Sequence, residues 1–132
     1  MVHIVYEQTY DLLKNAEMAI VTSGTATLET ALFRVPQVVV YRVNLLSYWI
    51  IRLMIKVPYI SLVNLIANKK VVAELIQDDF NPSNIRTEME KIKVGGSDRE
   101  EILRNYDEIA EKIGKPGASD KAAELIVSYL KK

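Results

Sequence analysis

The chain has 132 residues, 49% of them hydrophobic, and its 17 lysines and arginines balance its 17 aspartates and glutamates. This length and composition are typical of one domain with a single core. They exclude a disordered chain, a collagen-like repeat and a strongly basic nucleic-acid-binding protein. With no cysteine and only one histidine, the sequence predicts no disulfide, no metal site, no cofactor and no Ser-His-Asp triad. The N-terminus lacks the pattern of a signal peptide, so we expect a cytoplasmic location.

The first segments of the chain alternate between patterns typical of strands and helices. Val2–Tyr6 predicts a short strand, Gln8–Asn15 a helix, and Met18–Val21 a buried parallel strand. After a turn, a helix is predicted to about Arg34. Its expected apolar face comprises Leu28, Ala31, Leu32 and Val35.

Pro36 ends this helix, and Val38–Tyr41 predicts a second buried strand. A strand, a turn, a helix and another strand in this order are typical of a parallel sheet. We therefore predict a Rossmann-like α/β fold, with a parallel sheet that carries helices on both faces.

The middle of the chain is basic and apolar. Between Glu29 and Glu74 there is no acidic residue, and the local formal charge is +6. Within this stretch, Asn44–Val57 is helical in pattern but apolar on nearly every side, and it is too short to cross a membrane. Such a segment is buried in protein, lies on a membrane surface or lines a pocket for acyl chains. These features indicate an anionic, partly apolar partner, although a core segment with few charges has the same composition.

The rest of the chain is mainly helical. Tyr59–Leu62 predicts a short strand, and Val71–Ile76 either a strand or the start of a helix. Helices follow from Pro82 to about Lys93, over Arg99–Ile113, and near the C-terminus, where Ala123, Ile126, Val127 and Leu130 share a stripe. We divide the chain into a Rossmann-like core over residues 1–80 and C-terminal helices over 81–132 that pack on this core or on a partner.

The turn after the first buried strand is the most informative part of the sequence. It reads Ser23, Gly24, Thr25, Ala26, and then Glu29 follows one helical turn after Thr25. Backbone N–H groups at the start of a helix bind anions, and the hydroxyls add donors to phosphate oxygens. From its position Glu29 is expected to accept hydrogen bonds from a ribose diol. One alternative is compensation of the helix dipole by Glu29, and another, a capping box, is disfavoured because Ala26 stands where that pattern needs Ser or Thr.

Two further residues are weaker candidates. Arg42 follows the Val38–Tyr41 strand at the same edge of the predicted sheet, where it either meets a phosphate or remains an ordinary surface arginine. Asn64 lies within an apolar run and needs a hydrogen-bond partner, either a ligand or the protein itself. Glu74, Asp78 and Asp79 are interpreted as surface acids.

Three ordered blocks of the sequence resemble the C-terminal half of bacterial lipid-A-disaccharide synthases. They are Ser23–Glu29, Val35–Arg42 and Tyr59–Ala67. The resemblance implies a GT-B fold and an inverting transfer of 2,3-diacylglucosamine from its UDP ester to 2,3-diacylglucosamine 1-phosphate, at the cytoplasmic face of the inner membrane. It also implies that Asn44–Val57 contacts the membrane surface.

Carried over to this sequence, the resemblance implies that Ser23, Gly24 and Thr25, with Ala26, hold the UDP diphosphate and that Glu29 holds the ribose. Asn64 matches a polar position of the family's active site, and Arg42 a position of less certain role. The N-terminal half that supplies the general base is not recognised in the sequence. We therefore expect a fragment with little activity of its own, whose sheet edge invites pairing with a second copy.

Two other functions remain open. One is a non-catalytic phosphosugar-binding regulatory domain, although Val21 stands where such domains carry a serine. The other is a membrane-interaction or oligomerisation module built on Asn44–Val57. Binding to anionic vesicles without any nucleotide affinity would favour the second.

Overall fold

The computed structural model describes residues 3–22, 25–42 and 59–114. The helices and strands in chain order are α1 (Thr9–Asn15), β1 (Ala19–Thr22), α2 (Thr25–Leu32), β2 (Gln37–Tyr41), α3 (Leu62–Ala67), β3 (Ala73–Ile76), a 3-10 turn (Gln77–Asp79), α4 (Pro82–Ile92) and α5 (Arg99–Ile113). The predicted segment Asn44–Val57 and the predicted helix near the C-terminus lie outside the described residues.

The three described strands form a parallel sheet in the order β1-β2-β3. Thr22 pairs with Val40, and Tyr41 pairs with Ile76. Because the strands are parallel, their carboxyl ends lie at one edge of the sheet, which we call the carboxyl edge.

The central strand β2 shows that both faces of the sheet are covered. Val38, Val39 and Val40 are all buried, and consecutive side chains of a strand point to opposite faces. Helices α2 and α4 both contact β2, while α2, α3 and α5 contact one another. The prediction of an α/β fold with a parallel sheet is confirmed.

Helices α4 and α5 begin and end where the sequence predicts. Asn81 caps α4 by accepting a hydrogen bond from Asn84 N, and Pro82 occupies the first turn, where no N–H is needed. Between the two helices Gly95 adopts a φ of +81°, which favours glycine.

The apolar stripe of α5 packs into the core through Ile102, Tyr106 and Ile109. The hydroxyl of Tyr106 also makes buried hydrogen bonds in this contact. Its hydroxyl donates to Val35 O at 2.9 Å and accepts from Gln37 Nε2 at 3.1 Å, and Gln37 Nε2 also donates to Thr27 O. Tyr106 therefore joins α5 to the start of β2.

The buried phenol predicts an alkaline loss of stability. Burial raises the pKa of Tyr106 well above its ordinary value, although the hydrogen bond with Gln37 opposes this shift. The resulting stability is fully present below the unfolded pKa of about 10 and is lost as the pH rises towards the folded pKa. Above pH ~10 this group should lower the free energy of unfolding by about 1.4 kcal/mol per pH unit. Urea titrations at several alkaline pH values measure the free energy of unfolding. It should fall less steeply with pH in Tyr106→Phe than in the unmodified chain, and equal slopes in these two proteins would contradict the prediction.

Three predictions about strands are wrong in part or in full. Residues 3–8 contain no strand, and Ile4 and Tyr6 are exposed, so an apolar run did not lead to pairing. The predicted strand Met18–Val21 exists as β1, but it is not buried. It lies at the edge of the described sheet, and Ile20 is half exposed. Tyr59–Leu62 is not a strand, because Ser61 is the N-cap of α3 and Leu62 its first residue.

Two smaller differences concern helix α2 and the segment at Val71–Ile76. Helix α2 ends at Leu32, two residues before the predicted end, and Leu32 is half exposed although it was assigned to the apolar face. The ambiguous segment forms the strand β3 over Ala73–Ile76, because it pairs in parallel with β2.

Candidate functional site

The junction of β1 and α2 lies at the carboxyl edge of the sheet. β1 ends at Thr22 and α2 begins at Thr25, while Ser23 and Gly24 lie outside the described residues. In parallel α/β sheets, ligands bind beyond the carboxyl ends of the strands. The backbone thus presents the start of α2 at the edge where a ligand is expected.

The first turn of α2 contains no acidic residue, so no carboxylate of the helix competes there for the positive end of its dipole. Thr25 is exposed and Ala26 half-buried, whereas Thr27 is fully buried. Thr30 supports the same turn, because its Oγ1 donates to Ala26 O at 2.8 Å. The threonine at the helix start is therefore accessible, and the residues that follow fix the turn against the core.

Glu29 lies one turn further along α2 and is half-buried. It is not turned into the apolar core but lines a cleft of about 530 Å³. The other residues that line this cleft come from α1 and the segment before it: Glu7, Gln8, Thr9, Tyr10, Asp11 and Lys14. Sequence reasoning missed this wall of the site.

A stacked aromatic pair holds α1 beside α2. The rings of Tyr10 and Phe33 are stacked, with their centroids 5.3 Å apart and an interplanar angle of 28°, within the usual range for favourable aromatic pairs. Three carboxylates and one ammonium group line the cleft. Its polar groups therefore suit a neutral ligand rich in hydrogen-bond donors better than they suit a phosphate.

Arg42 lies just beyond β2 at the carboxyl edge and is exposed. Its Nη2 donates to Gln77 O at 3.2 Å and to Phe80 O at 3.0 Å, and its guanidinium lies 5.5 Å from the centre of the Phe80 ring. Arg42 therefore ties the end of β2 to the 3-10 turn after β3. Both hydrogen bonds use the same nitrogen, which leaves further guanidinium donors at the exposed edge.

Asn64 is fully buried and contacts β3, the last strand among the described residues. Its Nδ2 donates to Val72 O at 2.9 Å and to Glu74 Oε2 at 3.1 Å, while its Oδ1 accepts from Val71 N at 2.8 Å and Val72 N at 3.0 Å. Asn64 thus lies on α3, whereas Thr25, Ala26 and Glu29 share α2.

Glu74 is half-buried on β3, so its interpretation as a surface acid is wrong, whereas Asp78 and Asp79 are exposed as predicted. The Glu74 carboxylate accepts from Ile60 N at 3.0 and 3.1 Å and from Ser61 N at 2.8 Å. The available signal was a lone acid inside a strand-like run, Val71–Ile76.

Within the described parts of the chain, no group of three or more acids or histidines is arranged to hold a metal ion. Over the same residues, no helix has the length and apolar character needed to cross a membrane.

Comparison with known proteins gives consistent results. A family model described as lipid-A-disaccharide synthetase matches residues 1–128. The chain is 44% identical over 115 residues to the lipid-A-disaccharide synthase of Myxococcus xanthus (87% of this chain, 30% of that protein). It is 42% identical over 131 residues to that of Syntrophus aciditrophicus (99% and 34%), and 47% identical over 107 residues to that of Acidobacterium capsulatum (81% and 27%). The chain spans about a third of the length of these curated relatives.

Proposed function

The chain belongs to the lipid-A-disaccharide synthase family, and we propose that it forms the UDP-sugar-binding part of such a glycosyltransferase. The observation that carries the proposal is the start of α2. There an acid-free first turn, which suits phosphate, is followed after one turn by a carboxylate that opens into a cleft. A nucleoside diphosphate has the matching order of charges, with an anionic end and a neutral pentose and base.

Each part of the site has a separate role in this proposal. The diphosphate lies at the start of α2, held by Ser23, Gly24, Thr25 and Ala26. Glu29 accepts hydrogen bonds from the two ribose hydroxyls, and the acid-rich cleft takes the uncharged nucleoside. Arg42 supplies guanidinium donors to the phosphates from the neighbouring strand end.

The reaction that we propose for the whole enzyme is an inverting glycosyl transfer. A hydroxyl oxygen of 2,3-diacylglucosamine 1-phosphate attacks the anomeric carbon of UDP-2,3-diacylglucosamine, the bond from this carbon to the phosphate oxygen breaks, and UDP leaves. A general base takes the hydroxyl proton, and we assign this base to another part of the longer enzyme, facing this domain in a GT-B arrangement. Amides and Arg42 at the diphosphate stabilise the leaving group as negative charge develops on it.

Acylated substrates also place the enzyme at a membrane surface in this proposal. We propose that Asn44–Val57, which lies outside the described residues, makes this contact at the cytoplasmic face of the inner membrane. Its basic side chains suit anionic headgroups and its apolar ones suit acyl chains.

Titration of UDP into the chain tests the site. We expect Glu29→Ala to weaken UDP binding about 10- to 100-fold, since hydrogen bonds to a charged group contribute about 1.5–3 kcal/mol. The UDP affinity of Glu29→Gln should lie between that of Glu29→Ala and that of the unmodified chain, because glutamine keeps an acceptor but loses the charge. Isothermal calorimetry at one fixed salt concentration gives the affinities.

Glu100→Ala is the matched control for this titration. Glu100 is exposed in the first turn of α5, so its removal changes the net charge equally while leaving the cleft intact. Equal UDP affinity in the Glu29→Ala and Glu100→Ala variants would contradict the assignment of Glu29, and absence of UDP binding by the unmodified chain would contradict the proposed function.

A further inference from the structure

The side chain of Asn64 has no hydrogen-bonding capacity left for a ligand. An asparagine amide offers two donors and two acceptor lone pairs, and all four are used within the protein. The orientation of the amide is fixed, since only an oxygen can accept from both Val71 N and Val72 N. Asn64 therefore ties α3 to the chain that enters β3.

Glu74 completes this arrangement from the strand itself. Its carboxylate accepts from Ile60 N, Ser61 N and Asn64 Nδ2. Ser61 adds a cap of its own, because its Oγ accepts from Asn64 N at 3.3 Å. The carboxylate thus lies at the start of α3, where it accepts the backbone N–H of the N-cap Ser61 and that of Ile60 just before it. We call Asn64 and Glu74 together the α3 clasp.

The α3 clasp holds the segment that leads into α3 against β3. Tyr59 lines a cavity of about 220 Å³ together with Asn64, Glu74 and Ile76. Ile76 is the last residue of β3 and pairs with Tyr41, next to Arg42. The clasp therefore fixes Tyr59 and Ile60 near the carboxyl edge of β3, the strand that pairs with β2 just before Arg42.

We infer that Asn64 and Glu74 are positioning residues, which hold the segment 59–64 against β3, and that Asn64 does not contact the sugar nucleotide. The part of this inference that concerns ligand contact rests on the proposed function. It revises the ligand-binding role that the sequence predicts for Asn64. It also assigns a role to Glu74, which sequence reasoning placed on the surface.

Asn64→Asp tests the clasp through the pH dependence of stability. The substitution puts a second carboxylate about 3 Å from that of Glu74, so one of the two must bind a proton in the folded state. A folded pKa raised in this way gives stability that is lost as the pH rises. We expect the urea midpoint of Asn64→Asp to fall markedly between about pH 5 and about pH 8, with a much smaller change in the unmodified chain.

Asn81→Asp is the matched control, because it makes the same chemical change at the N-cap of α4, where aspartate is a favourable cap. Its midpoint should follow that of the unmodified chain. A midpoint of Asn64→Asp that does not depend on pH any more than this control would overturn the clasp.

The double variant Asn64→Asp/Glu74→Gln separates positioning from ligand contact. It restores a single carboxylate and an amide, so the amide of residue 74 donates to residue 64 and its oxygen still accepts from Ser61 N. Because no donor then faces Val72 O, we expect it to recover only part of the stability lost in Asn64→Asp, but to bind UDP within about threefold of the unmodified chain, while Asn64→Asp at pH 8 binds about tenfold more weakly. Recovered stability without recovered affinity would show that Asn64 contacts the ligand and would overturn its positioning role.

The single variant Glu74→Gln keeps the test decisive if Asn64→Asp does not fold. It retains one acceptor for the backbone N–H groups, and its stability should lie between that of the unmodified chain and that of Asn64→Leu. Equal stability of Glu74→Gln and the unmodified chain, with no loss in Asn64→Leu, would overturn the clasp. If the unmodified chain binds no UDP, the proposed function fails, and the stability measurements still decide whether the clasp exists.

Discussion

Replacement of Tyr106 by alanine is expected to lower the free energy of unfolding by about 3–5 kcal/mol. The side chain is 1% exposed and is among the largest fully buried groups of the described chain. Its removal leaves a cavity between α5 and β2 and takes the hydroxyl from Val35 O and Gln37 Nε2. Since domains are stable by only about 5–15 kcal/mol, this single change should remove a large share of the total.

Urea unfolding of two companion variants separates the contributions. Tyr106→Phe keeps the ring and loses only the hydroxyl, so we expect a loss of about 1–2 kcal/mol. Tyr6→Ala removes the same side chain from a position that is 78% exposed, and surface substitutions of this kind usually change stability by less than about 0.5 kcal/mol. Similar losses in Tyr106→Ala and Tyr6→Ala would mean that α5 does not depend on this contact.

Elements whose signals are local were predicted well. The strand at Val38–Tyr41 is a short β-branched run followed by a charged residue, and α5 has an apolar stripe of helical period over Arg99–Ile113. Asn81 and Pro82 marked the start of α4 because a cap and a first-turn proline act through their immediate neighbours. In these places local preference and tertiary packing agree.

The failures have non-local causes. Tyr59–Leu62 has the composition of a strand, but its backbone N–H groups are bound by a carboxylate thirteen or fourteen residues later, on β3. Ile20 belongs to an apolar run, yet it lies on an edge strand where the described part of the chain does not cover it. A hydrophobic pattern indicates that a segment can be buried, while its neighbours in space decide whether it is.

The residues of the candidate site also separate into those with a local sequence signal and those whose position depends on distant parts of the chain. Glu29 was predicted to contact a ribose from its spacing to Thr25 on one helix; the structure places it in a cleft, and the contact with a ribose stays a prediction. The opposite wall of the cleft, from Glu7 to Lys14, could not be predicted. Its position depends on the contact of Tyr10 with Phe33, which are far apart in the sequence. Asn64 was recognised as needing a partner, but whether this was a ligand or the protein depended on Glu74.

The second prediction with a large expected effect concerns the rate of the proposed glycosyl transfer. The chain spans about a third of the relatives' length, and the proposed base and acceptor site belong to the remainder. We therefore expect the chain alone to release no UDP above background from UDP-2,3-diacylglucosamine and the acylated acceptor. Addition of the remaining two thirds of the Myxococcus xanthus enzyme as a separate polypeptide should raise the rate at least about 100-fold, because the two walls then hold both substrates in reacting geometry. A coupled assay of UDP release measures both rates.

The same addition to Glu29→Ala at subsaturating donor should give a rate about 10-fold or more below that of the unmodified chain, whereas Glu100→Ala should match the unmodified chain. Full activity of the chain alone would show that the proposed base lies within it, and equal rescue of Glu29→Ala would remove the carboxylate from the donor site.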